Sequence, residues 1–176
     1  MTWADVQEGI RVAMRDASKL PDTSVAWDID GRASGWRQYP RIRLNPVGAR
    51  TKGLPWEQRN DSIPNEVTLE TVAVEALRVQ VTLETERGSQ GLGTPFQWSS
   101  FVRTRIRNDR IREALLTKGV TVWTVGDFTP TPDVEVDGSV LVSFVSEIQF
   151  QVCVPDVQNP EQTLGWFDRV DTHPNT

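Results

Sequence analysis

The residues that could do chemistry in this chain are few, and two neighbouring carboxylates come closest to forming a site. Asp28 and Asp30 are separated by one residue, so a strand would place both on one face, where they could bind a divalent metal ion. The sequence offers no identifiable third ligand nearby. We therefore interpret them as an acidic pair that begins a turn, and a metal-dependent processing enzyme remains as a remote alternative.

The other reactive side chains lack the partners that catalysis requires. The one histidine, His173, lies in a polar tail, which argues against a Ser-His-Asp triad and a histidine-based zinc site. Cys153 alternates with valines and is interpreted as a packed side chain. Glycines at positions 88, 91 and 93 precede a helical pattern, but no Lys-Ser/Thr follows them as it does in a phosphate-binding loop. We expect no enzymatic activity, no metal and no cofactor.

Charge is distributed unevenly along the 176 residues. Residues 101–126 have a formal balance of +4, whereas residues 127–176 have nine carboxylates against one arginine, a balance of −8. Identical subunits with oppositely charged surfaces can associate head to tail, which is how rings form. We therefore predict inter-subunit contacts for four arginines of the first segment, namely Arg103, Arg107, Arg110 and Arg112. The alternative is that both segments face water.

Two long stretches alternate apolar and polar residues and must form the centre of any sheet. They are residues 67–86 and residues 140–154, and their matching length and pattern predict antiparallel neighbours. At roughly 3.4 Å per residue the first would extend about 60 Å, more than a compact domain needs. It is expected either to bend near Glu75 or to run past the core into a neighbouring subunit.

Helical patterns lie before and between these strands. Thr2 can cap an N-terminal helix, and Thr94-Pro95 begins a helical segment over residues 94–118. The expected fold is α+β, with a mostly antiparallel sheet of about five strands and both helical segments on one face. Residues 1–154 are expected to form one domain and residues 155–176 an extended tail.

Residues 48–64 contain two glycines and two prolines without a regular period, which predicts a long loop. This loop and the tail are expected to contact partner proteins through four side chains, Trp56, Arg59, Trp166 and Phe167. The alternative is that the aromatic members pack on their own subunit.

Four segments carry a resemblance to a known family. They are QYPRIRL at 38–44, VEALRVQVTLETE at 74–86, NDRIREALLTKGVTVWTVGDF at 108–128 and SVLVSFVSEIQFQV at 139–152. In this order the chain resembles the phage neck or tail terminator family over about residues 3–154. It departs from that family in the 48–64 segment and in its Trp-Phe tail.

The resemblance implies a virion structural protein without enzymatic activity. Such proteins are small α+β subunits of a ring, commonly a hexamer, that caps the tail tube and joins the tail to the neck or head. The implied partners are further copies of the chain, tail tube and sheath proteins, and neck or connector proteins. DNA would be only a passing cargo in the lumen and no membrane would be involved. The implied location is the virion tail or neck, assembled in the host cytoplasm. A head–tail connector or stopper subunit is the alternative within this class.

Overall fold

A computed structural model describes residues 2–28, 39–63, 66–88, 94–136 and 138–155, with the backbone only for 51–63, 66–73 and 154–155. The chain has the predicted α+β fold. Its elements in order are α1 (Trp3–Ser18), a short 3₁₀ helix (Asp22–Ser24), β1 (Val25–Trp27), β2 (Arg41–Ile63), β3 (Glu66–Glu86), α2 (Pro95–Arg105), α3 (Asp109–Leu116), β4 (Val120–Val125), β5 (Thr129–Pro130), β6 (Val134–Val136) and β7 (Ser139–Pro155).

One sheet organises the molecule, and within the described ranges it has seven strands rather than the five expected. Its main order is β1-β2-β3-β7-β4, and the short strands β5 and β6 also pair with β7. The pair β1–β2 is parallel and the other pairs are antiparallel. The predicted pairing of the two long strands is confirmed, because β3 and β7 run side by side from Val72↔Pro155 to Glu86↔Leu141 without a register shift.

The helices begin where the sequence predicts, because each has its own cap. The Thr2 hydroxyl accepts a hydrogen bond from the Asp5 amide at 3.2 Å, and the Asp5 carboxylate accepts from the Thr2 amide at 2.9 Å. Thr94 and Gln97 form the same reciprocal capping box at α2. The Asn108 side chain caps α3 and separates it from α2.

A single apolar core lies between the helices and one face of the sheet. The alternating positions of β3 and β7 supply its central layer, and α1, α2 and α3 each contribute an apolar stripe. Its largest fully buried side chains include Phe150, Ile10, Met14, Leu77 and Leu115. The prediction that both helical segments cover one face of the sheet is therefore correct. None of the described helices has the length and apolarity needed to cross a membrane.

The predicted loop over residues 48–64 is wrong for residues up to 63, because these residues continue β2. Breaks in the regular pairing explain why the sequence pattern disappears. The β2–β3 register shifts between Pro46 and Gly48, between Lys52 and Trp56, and between Asn60 and Ile63. The first and third shifts each add one residue to β2 and so change which residues share a face, while the second adds two; together they break the two-residue alternation. Pro46 is tolerated because β1 pairs with β2 only as far as Leu44.

Candidate functional site

The most unusual feature of the fold is the long hairpin formed by β2 and β3. The two strands pair from Arg41↔Glu84 to Ile63↔Glu66, but among the described residues β7 pairs with β3 only as far as Val72. Residues 66–71 therefore extend roughly 20 Å beyond the last β3–β7 pair at about 3.4 Å per residue. We call residues 51–63 and 66–72 the hairpin arm.

Both outer edges of the hairpin arm are open within the described part of the chain. On β2 the last partner outside the hairpin is Trp27, opposite Leu44, and on β3 it is Pro155, opposite Val72. A strand edge without a neighbour presents amide and carbonyl groups that can pair with another chain. The arm therefore offers two edges for strand addition.

The side chains predicted to contact partners fall in three places. Trp56 and Arg59 lie on the hairpin arm, where their backbones pair with Val72 and Leu69, respectively. This places them on a strand rather than the expected loop. Trp166 and Phe167 lie outside the described residues, so their contacts stay predictions. The same holds for the predicted tail from residue 156 onward.

The four arginines predicted to contact a neighbouring subunit all lie at α2 and α3. Arg103 Nη1 lies 2.8 Å from Asp127 Oδ1, and Arg112 Nη2 lies 3.3 Å from Asp109 Oδ1. These two arginines already have carboxylate partners within their own chain. The pairs are solvent-exposed and contribute only about 0–1 kcal/mol each, so they would not prevent a contact with another subunit.

Arg107 and Arg110 differ from the other two, because neither has an ion pair among the described residues. Both side chains are exposed. Their charges are therefore available to an external acidic group.

Sequence reasoning missed a buried charged cluster on the sheet face opposite the helices. Glu84, only 5% exposed, accepts hydrogen bonds from Arg41 Nε at 2.5 Å and Arg43 Nη2 at 2.6 Å. Arg43 Nη1 also donates to the Asp28 carboxylate at 3.0 Å, and Arg41 stacks on the Tyr39 ring at 4.7 Å. Arg41 and Glu84 are directly opposite in register. The sequence signal that could have predicted this cluster is the presence of complementary charges at alternate positions of two strands.

This cluster bears on the suggested metal pair. Asp28 is paired with Arg43 at 3.0 Å, and the guanidinium charge would repel a divalent cation from this carboxylate. Asp30 lies outside the described residues. Within the described ranges, no three side chains of the metal-binding types are grouped together.

Comparisons with known proteins do not add a relative to these observations. No protein-family model matches the chain, and no curated protein matches it.

Proposed function

We propose that this chain is a virion structural protein, a tail terminator subunit whose ring caps the tail tube and joins the tail to the neck or head. The observation that carries the proposal is the hairpin arm, which continues past the last β3–β7 pair and has no further strand partner on either edge within the described ranges. Such an edge can pair with an adjacent copy by strand addition, and repetition of one heterologous contact closes a ring when the rotation permits.

The charges of the helical surface support the same arrangement. Arg107 and Arg110 present positive charge at the α2–α3 junction, whereas residues 127–176 carry the formal balance of −8. A head-to-tail contact between copies would bring opposite charges together, which favours the correct register and speeds encounter. Strand addition would supply the backbone pairing, and charge would select the orientation.

Removal of the hairpin arm tests this function directly. Lys52 and Val74 are opposite each other in register, so residues 53–73 can be replaced by Asn-Gly, which closes a two-residue hairpin. The shortened chain should be monomeric in mass photometry, while the full chain should form rings visible by electron microscopy. Its melting temperature should stay within about 4 °C of the full chain, near the shift expected for 1 kcal/mol.

A matched control keeps the arm and changes only the residues between its strands, with Pro64→Asn and Asn65→Gly. This control should still form rings. Rings of unchanged size from the shortened chain would contradict the role of the arm, and a full chain that stays monomeric at every concentration would contradict the ring.

Addition of the ring to purified components then tests its position. Ring density at one end of purified tail tubes is the result expected for a terminator. Binding to a portal–neck complex without binding to tubes would instead indicate a connector or stopper subunit.

A further inference from the structure

A cavity of about 500 Å³ lies between the end of α1 and the junction of α2 with α3. Leu20 and Ile111 are its apolar lining residues, and the remaining lining is polar or charged. Its volume falls within the range of small-molecule sites, roughly 300–1,000 Å³.

The cavity lining has a strong excess of positive charge. Four of its side chains are cationic and one, Asp16, is anionic, which leaves a formal charge of +3. Asp16 is already paired with Arg15 at 2.8 Å, and Arg15 also contacts Asp22 at 2.9 Å. Lys19, Arg105 and Arg110 have no ion pair among the described residues. Three cations that no carboxylate of the described chain neutralises therefore surround one space.

Arg105 is held in position rather than free to turn into solvent. Its guanidinium lies 4.2 Å from the centre of the Phe101 ring, a cation–π contact. Its Nη1 is buried and has no hydrogen-bond acceptor in the described structure. A buried guanidinium nitrogen without an acceptor is costly, and an anion in the cavity would supply one.

From this geometry we propose that the cavity binds a phosphate group carried by a small molecule. A single carboxylate would offset only one of the three excess charges, whereas a phosphate monoester carries nearly two negative charges at neutral pH. Arginine matches phosphate oxygens with its planar fork of donors. The α3 amino end adds a favourable dipole beside Asn108. The space left beside the phosphate can hold the group to which it is attached.

Isothermal titration with inorganic phosphate, at constant ionic strength, tests the site in the full chain. Wild type should bind, and Arg110→Gln should weaken binding about tenfold, as expected for loss of one charged hydrogen-bond donor. Arg110 is exposed, so this variant should fold normally. Arg105→Lys, which keeps the charge but loses the fork, should also weaken binding. A nucleoside monophosphate should bind more tightly than inorganic phosphate because it fills more of the space.

Arg78→Gln is the matched control, since Arg78 is an exposed arginine of β3 that does not line the cavity. It should bind phosphate as wild type does. The proposal is overturned if wild type shows no saturable binding, or if Arg110→Gln and Arg105→Lys bind as tightly as wild type. Binding that Arg78→Gln weakens equally would also overturn it, because the effect would then be general surface charge.

Discussion

Two glutamates of β3 differ sharply in what surrounds their carboxylates. Glu84 is buried and accepts hydrogen bonds from Arg41 and Arg43. Glu75 is half-buried on the helix-covered face, beside Val152 in register, and has no ion pair among the described residues. Burial raises the pKa of the Glu75 carboxyl above its ordinary value of 4.5. One glutamate therefore balances buried charge, while the other carries an unbalanced charge.

Replacing each glutamate with glutamine should change stability in opposite directions. Glu84→Gln should lower the free energy of unfolding by about 3 kcal/mol, because two partly buried guanidinium groups lose their shared counter-charge. Glu75→Gln should raise the melting temperature at pH 7. Thermal unfolding of both variants beside wild type at one pH makes the comparison, and a loss of stability in Glu75→Gln at pH 7 would contradict it.

The pH dependence of the Glu75 effect follows from the direction of its pKa shift. A raised pKa means that the folded state holds the Glu75 proton more tightly than the unfolded state does. Wild type should therefore lose stability relative to Glu75→Gln as pH rises from about 4.5 through the raised pKa. Above that pKa the difference should be constant. Chemical denaturation of wild type and Glu75→Gln at a series of pH values from about 4.5 upward measures this difference in stability. A difference that does not change with pH would exclude the titration of Glu75 as its cause.

Strand β4 and strand β7 approach each other closely at Gly126. The Gly126 amide donates to the Glu147 carbonyl at 2.9 Å. A Cβ atom at Gly126 would lie 2.8 Å from that same carbonyl oxygen, which belongs to the backbone of β7 and cannot move without distorting the sheet. Only glycine fits this approach.

Gly126→Ala should therefore destabilise the fold by about 1–3 kcal/mol, the usual cost of forcing atoms into a packed region. Gly9→Ala is a useful comparison. Its new Cβ would lie 3.1 Å from Cβ and Cγ of Lys118, a contact relieved by a movement of a few tenths of an ångström, and alanine favours the helix by about 0.5–1 kcal/mol over glycine. Urea denaturation should rank Gly126→Ala well below Gly9→Ala. If the two variants were equally stable, β7 would have to move away from the added Cβ at position 126 at little cost in free energy.

Elements with a regular spacing of apolar residues were predicted from the sequence, and a strand in which that spacing is interrupted was missed. Regular alternation located β3 and β7, and capping residues such as Thr2 and Thr94 located the helices. The second half of β2 was missed because its register shifts three times against β3. Pairing with β3 decides the structure there, so the local preference of the segment is overridden.

The candidate sites were less accessible to sequence reasoning than the fold. The positive charge of α2 and α3 was visible from the sequence. The convergence of Arg15 and Arg105 on one cavity was not, because they lie ninety residues apart and meet only through packing of α1 on the α2–α3 junction.

For the whole molecule, the proposed ring makes association sensitive to charge at the α2–α3 junction. Arg107→Glu should weaken assembly at low salt, because an exposed cation with no ion pair among the described residues becomes an anion facing an acidic neighbour. At about 1 M salt, where the screening length is roughly 3 Å, the difference from wild type should largely vanish. Sedimentation velocity at the two salt concentrations measures this.

Arg78→Glu provides the control for charge reversal away from that surface. Arg78 lies on the sheet face opposite the helices, 3.9 Å from Glu147. Its reversal should leave sedimentation unchanged at both salt concentrations. Equal weakening by the two variants, or by neither, would count against charge-guided association through the α2–α3 junction.

The position of β3 at the centre of the sheet also has a consequence for the nascent chain, because one edge of β3 is synthesised long before its partner strand. Its hairpin partner β2 precedes it, but β7 begins at residue 139, more than fifty residues after β3 ends at residue 86. At roughly 5–20 residues per second, the edge that will pair with β7 waits several seconds on the ribosome. During that time it carries Arg78, Glu84 and Glu86, charges that discourage pairing with another nascent chain. Charged side chains on β3 should therefore limit aggregation of the growing chain before β7 completes the sheet.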